Sequence, residues 1–141
     1  MSWRLEGTVE LEGCSHKFSV FARENADVLA TRLGGPIFPG SLNIKTGRRN
    51  IGDWLDRGFW PKQPDIVVPR AELSGMPAYI GDGRAWRCVL MADGAMPVKC
   101  LLFRRRGSRV RPGTIEILAG VGLVSHLGLK QGQSVCLEGE A

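Results

Sequence analysis

The chain is a succession of short runs in which apolar and polar residues alternate, and each run is ended by glycine or proline within a few residues. Leu5, Gly7, Val9 and Leu11 fall on one side of such an alternation, Glu6, Thr8 and Glu10 on the other. A period of two is the mark of a strand with one buried face. The same reading predicts strands at residues 18–21, 41–45, 66–68, 85–91, 98–103, 115–118 and 134–137. Helical spacing is scarcer. Ala26, Leu29, Ala30 and Leu33 lie at i, i+3, i+4 and i+7, with Asn25 as a predicted N-cap and Gly34 in the place of a C-terminal glycine. Ile51, Trp54 and Leu55 form a second short face between Asn50 and Gly58. Residues 120–127 have room for one or two further turns. Many short strands, Gly-rich turns and two or three small helices predict a mainly β chain closed into an antiparallel barrel, which leaves few strand edges exposed. At 141 residues, with no internal repeat or linker, the chain is long enough for one domain spanning 1–141.

Composition excludes several classes. The chain is 43% hydrophobic and 23% charged, as expected of a globular protein. No apolar run approaches the roughly 20 residues of a membrane-spanning helix. The N-terminal residues read as a strand, not as a signal peptide, so the cytoplasm is the expected location. Cys14, Cys88, Cys100 and Cys136 contain no Cys-x-x-Cys pair, and three of them sit in strand-like apolar runs, which predicts buried reduced thiols. His16 and His126 have no second ligand at metal spacing, so zinc is not expected. The net charge is +5 with a pI near 9.4. Much of the excess lies in Arg104, Arg105 and Arg106, followed by Arg109 and Arg111. A basic balance favours anionic partners, either phosphorylated small molecules or nucleic acid, although a solvated charged loop gives the same pattern.

The densest chemistry lies in the run Phe38, Pro39, Gly40, Ser41, Leu42, Asn43, Ile44, Lys45. Pro39 and Gly40 permit a sharp bend. In the strand that follows, Leu42 and Ile44 face one way and Ser41, Asn43 and Lys45 the other. A hydroxyl, an amide and an ammonium beside a bend suit hydrated Mg²⁺ and phosphate, since Mg²⁺ takes oxygen ligands and keeps water and phosphate in its shell. An ordinary amphipathic strand has the same outline, and the pattern alone leaves both readings open.

This run resembles the Pro-Gly-Thr-Leu-Asn-Val/Ile-Lys signature of the archaeal-type CTP-dependent riboflavin kinases. Trp86, Arg87, Cys88 and Val89 are similar to a Val-Lys-Cys strand of that family. Ser108 followed by Thr114, Ile115, Glu116, Ile117, Leu118 and Ala119 is similar to its flavin-contacting stretch. Residues 127–135 resemble its closing Leu-x-Leu-Lys-x-Gly-Asp-x-Val turn. The resemblance runs from about Glu6 to the C-terminus and implies a six-stranded barrel of the cradle-loop type. It implies phosphate transfer from a nucleotide, CTP in the family, to riboflavin, giving FMN. Ser41 and Asn43 fall on the Mg²⁺ ligands. Ser108 and Glu116 fall on the flavin side, with Glu116 placed to orient or deprotonate the acceptor hydroxyl. Trp54, Trp60 and Trp86 are candidate stacking partners for the isoalloxazine ring, or plain core.

At the donor end the chain departs from the family. A Gly-x-Gly-Glu-Gly-x-Tyr segment is replaced by residues 11–18, in which Gly13 is the one glycine and His16 and Lys17 add charge. The later Lys-Leu-Arg-Glu nucleotide contact is replaced by Gly122, Leu123, Val124 and Ser125, without a basic residue. Two other readings stand beside the kinase: a non-catalytic flavin- or nucleotide-binding barrel, and a nucleic-acid-binding barrel using Arg104, Arg105 and Arg106.

Overall fold

The structure, a computed structural model, describes residues 2–12 and 17–140. Seven strands are present: β1 (Ser2–Glu10), β2 (Leu42–Lys45), β3 (Ile66–Val68), β4 (Gly83–Ala92), β5 (Val98–Arg105), β6 (Thr114–Leu118) and β7 (Ser134–Glu140). Four short helices accompany them: α1 (Lys17–Glu24), α2 (Ala26–Leu33), α3 (Ile51–Arg57) and α4 (Leu123–Leu127), with a 3₁₀ turn at Arg70–Glu72. Six strands close an antiparallel barrel in the order β4, β5, β6, β2, β1, β7 and back to β4. The ten residues of β4 make the closure possible. Along one edge its first residues pair with β3, Gly83 opposite Val68, and its last with β7, Cys88 opposite Gly139. Thus β3 is an extra strand outside the barrel.

The alternation in the sequence becomes two layers of core. Inward-facing Leu5, Val9, Ile44, Trp86, Leu102 and Ile117 fill the barrel, joined by Ile51 and Leu55 of α3 and Leu123 of α4. On the opposite face of the same wall, Ala85, Phe103 and Leu118 pack against Phe18, Phe21 and Leu29 of α1 and α2. Trp86 is wholly buried and its indole N–H donates to the Lys62 carbonyl at 2.9 Å, so it belongs to the core and has no face free for a flavin. Trp60 packs edge-on to Trp3, their ring centroids 5.5 Å apart.

The predicted ends of α2 and α3 are found, with Gly34 and Gly58 in the left-handed conformation and each donating its N–H back to the helix. Asn25 does something other than cap. Its amide donates to the Phe21 carbonyl (2.9 Å) and the Ser74 carbonyl (3.1 Å), and its oxygen accepts from the Ser74 N–H (2.8 Å). It ties the α1–α2 joint to a loop 49 residues away. Asn50 likewise makes no side-chain capping bond. The strand expected at residues 18–21 is incorrect: Phe18 and Phe21 lie on α1, three residues apart and both buried against Phe103. Among the described residues no helix is long and apolar enough to cross a membrane.

Candidate functional site

The site begins with register. Asn43 of β2 lies directly opposite Glu10 of β1 on one side and Glu116 of β6 on the other. Glu116 is in turn opposite Phe103 of β5. Leu42 and Ile44 are buried in the barrel, so Asn43 and its neighbours in this row belong to the outer face. Directly opposed residues on antiparallel strands have Cβ atoms about 5 Å apart. Residues separated by 73 positions in the chain therefore become neighbours. Ser41 stands two residues before Asn43, a displacement of about 7 Å along the strand.

Charge is organised along this face. Glu10 accepts a hydrogen bond from the Gln131 amide at 3.1 Å, and Lys45 Nζ lies 3.9 Å from its other oxygen. Arg105 is buried beneath α1, its guanidinium 5.4 Å and 4.8 Å from the ring centroids of Phe18 and Phe21. Its Nε is buried without a protein hydrogen-bond partner, and so is Thr114 Oγ1. Burial lowers the pKa of Arg105 and raises that of Glu116, while the attraction between the two charges opposes both shifts. A carboxylate moved upward toward neutrality is suited to accept a proton.

Ser108, Glu116, Arg105 and Thr114 line one cavity, closed on the far side by Gly52 and Leu55 of α3. Its volume is about 10 Å³, the space of a single water rather than of an isoalloxazine ring. Ser108 is held in a turn whose N–H donates to the Arg105 carbonyl at 2.9 Å. The preceding Gly107 N–H donates to Asp56 of α3 at 3.1 Å. Asp56 also accepts two hydrogen bonds from the Arg104 guanidinium, Nε to Oδ1 and Nη2 to Oδ2, at 2.9 Å each. Of the three consecutive arginines, then, Arg104 is committed to Asp56 and Arg105 to the aromatic layer; Arg106 alone is exposed.

Ser41 lines a second cleft of about 150 Å³, together with Gly122, Leu123, Val124 and Ser125. These five residues, assigned from the sequence to metal and donor nucleotide, are thereby brought together. A Cβ at Gly122 would lie 3.1 Å from the Phe38 ring, so a larger residue there would require that ring to give by a few tenths of an ångström. The walls are otherwise apolar, with Ser41 and Ser125 supplying hydroxyls. Leu42 and Ile117 also line this cleft and are the register pair next to Asn43 and Glu116, but they face the barrel interior whereas Asn43 and Glu116 are on the outer face, and neither of those two lines the cleft. Gly13 and His16, expected at the donor end, lie outside the described residues.

Ser41, Asn43 and Glu116 offer a hydroxyl, an amide oxygen and a carboxylate, all oxygen donors, which is the chemistry Mg²⁺ accepts. Sequence reasoning missed Arg105 as a buried group, Thr114 as its neighbour and Asp56 as the anchor of the Ser108 turn. The alternation around Thr114 was visible; the aromatic partners that bury Arg105 come from a helix taken for a strand. The sequence matches no protein-family model and no curated protein.

Proposed function

We propose that the protein is a riboflavin kinase-like phosphotransferase that uses Mg²⁺ and a nucleotide, CTP by resemblance, to convert riboflavin to FMN. The observation that carries the reading is the pairing of Asn43 with Glu116. The two positions that resemble the metal ligand and the flavin-side carboxylate of one family are cross-strand neighbours. Phosphoryl transfer asks for in-line placement of an acceptor hydroxyl and for cations near the transferred group. Ser41 and Asn43 would hold Mg²⁺ with help from nucleotide phosphates, since both are neutral ligands. Glu116 would take the proton of the ribityl hydroxyl. Arg105 beside it offers positive charge, and Ser108 a hydroxyl, to the phosphate formed. The metal, when bound, supplies charge neutralisation on the phosphates. Entry of the flavin requires the turn carrying Ser108 to move from α3, because the cavity now holds one water at most.

The test is FMN formation from riboflavin and Mg²⁺ with each nucleoside triphosphate in turn. FMN is expected with at least one of them, and Asn43→Ala should lower the rate by at least about a hundredfold with the fold intact. Absence of FMN with every donor overturns the kinase. The lack of a basic residue among Gly122, Leu123, Val124 and Ser125 favours, as a second reading, a barrel that binds flavin or nucleotide without catalysis. Calorimetric binding of FMN or CTP in a protein that forms no FMN would select it.

A further inference from the structure

On the inward-facing side of β4 and β5, the pairs Trp86–Leu102 and Leu90–Val98 enclose one level between them. There, Cys88 of β4 and Cys100 of β5 are direct register partners, with their sulfur atoms 3.5 Å apart. Directly opposed strand residues have Cβ atoms about 5 Å apart, just beyond the separation found across disulfides. Only small side-chain and strand adjustments separate two thiols in contact from a bond of about 2 Å. Both residues also line a cavity of about 670 Å³, whose rim carries Lys62, Arg87 and Lys99. Cys88 and Cys100 are only 9% and 6% exposed, so the oxidant that suits them is a molecule as small as hydrogen peroxide. Cys136, the third described cysteine, lies elsewhere, on β7.

We propose that Cys88 and Cys100 are a reversible oxidation site, converted by a peroxide into an intramolecular disulfide across β4 and β5. The step balances. The Cys88 sulfur attacks one oxygen of hydrogen peroxide, the O–O bond breaks, and a sulfenic acid and one water result. The Cys100 sulfur then attacks the Cys88 sulfur, the S–O bond breaks, and its hydroxyl leaves as a second water with the Cys100 proton. In sum, two thiols and one peroxide give one disulfide and two waters. Contact with Cys88 and burial both raise the pKa of the Cys100 thiol. The site is independent of the kinase reading, for it is at the other side of the wall from Glu116 and needs neither flavin nor nucleotide.

The experiment uses the full chain with Cys14→Ser and Cys136→Ser, so that only this pair remains. Native protein is treated with hydrogen peroxide, alkylated, digested and mapped by mass spectrometry. The expected result is a peptide linking Cys88 to Cys100, lighter by two hydrogens than the sum of its parts and restored by dithiothreitol. Melting of the oxidised protein should occur above that of the reduced form, and Cys88→Ser should remove both signals. Two results overturn the proposal. One is full alkylation of both cysteines after peroxide treatment that oxidises the same chain when unfolded. The other is their separate conversion to sulfinic acids without a linked peptide.

Discussion

Half-buried Glu116 and buried Arg105 each favour the ionised form of the other, and burial opposes both. For Glu116 burial prevails and its pKa lies above its ordinary value of 4.5. A carboxyl that holds its proton more tightly in the folded chain than in the unfolded one stabilises the fold while protonated. That contribution is present below the ordinary carboxylate pKa and is lost as pH rises through the raised value. Glu116→Gln has no such proton to lose. The wild-type protein is therefore expected to lose stability relative to Glu116→Gln as pH rises from about 4.5 toward neutrality, read as urea midpoints of the two proteins at matched pH. A parallel pH dependence in both would show that Glu116 has an ordinary pKa. The same substitution should lower FMN formation by about a hundredfold or more if this carboxylate is the base. At this scale the sequence revealed the types of residue but not their setting. Ser41 and Asn43 stood out because a bend precedes them. The burial of Arg105 depended on two phenylalanines some 85 positions away, which no local pattern announces.

At the level of elements, α3 is fixed to the barrel by a small set of polar contacts around its last turn. Arg104 pairs with Asp56 through two hydrogen bonds, and Arg84 donates to the Asp56 carbonyl at 2.8 Å. The Arg104 and Asp56 side chains are only 11% and 18% exposed. Removing one member of a pair so enclosed strands the other charge, at a cost of about 3 kcal/mol, the lower end of the range for fully buried pairs. Asp56→Ala is expected to destabilise by that amount in chemical denaturation and to free the turn carrying Ser108, which also loses the acceptor of the Gly107 N–H. Less than about 1 kcal/mol would mean the pair behaves as a surface salt bridge. The existence of α2 and α3 was legible because apolar periodicity and a terminal glycine agreed. For α1 they did not. Phe18, Ser19, Val20 and Phe21 form a run too short for periodicity to separate strand from helix, and a β-branched residue beside two aromatics tilts the reading toward strand. The pairings β1–β7, β1–β2 and β2–β6 were out of reach for another reason: register between distant strands is set by three-dimensional closure, and one sequence records only each strand's own alternation.

On the scale of the molecule, the two apolar layers are opposite faces of one wall. In β5, Leu102 points into the barrel and Phe103 into the layer beneath α1 and α2; in β6, Ile117 and Leu118 divide in the same way. Losing either layer would uncover large apolar residues on one face of these shared strands, so the chain should unfold in a single cooperative step. Phe21 tests this from the outer layer. It is 4% exposed and packs between Phe18 and Phe103, with Arg105 over its ring. Phe21→Ala should cost about 3–5 kcal/mol through lost burial and the cavity left behind. In a chain of this size that lowers Tm by roughly 10 °C or more. The informative comparison is between two probes. Far-UV circular dichroism follows helices and strands together, while tryptophan fluorescence reports Trp3 and Trp86 inside the barrel, Trp60 packed against Trp3, and Trp54 on α3, none of them on α1 or α2. Coincident midpoints in wild type and variant, both shifted down together, are the expected outcome. If Phe21→Ala shifts the dichroism but leaves the fluorescence transition in place, the helical layer is a separate unit. The polar row of Asn43 and Glu116 would then rest on a barrel that stands without α1, and the burial of Arg105 would be a local feature of that layer.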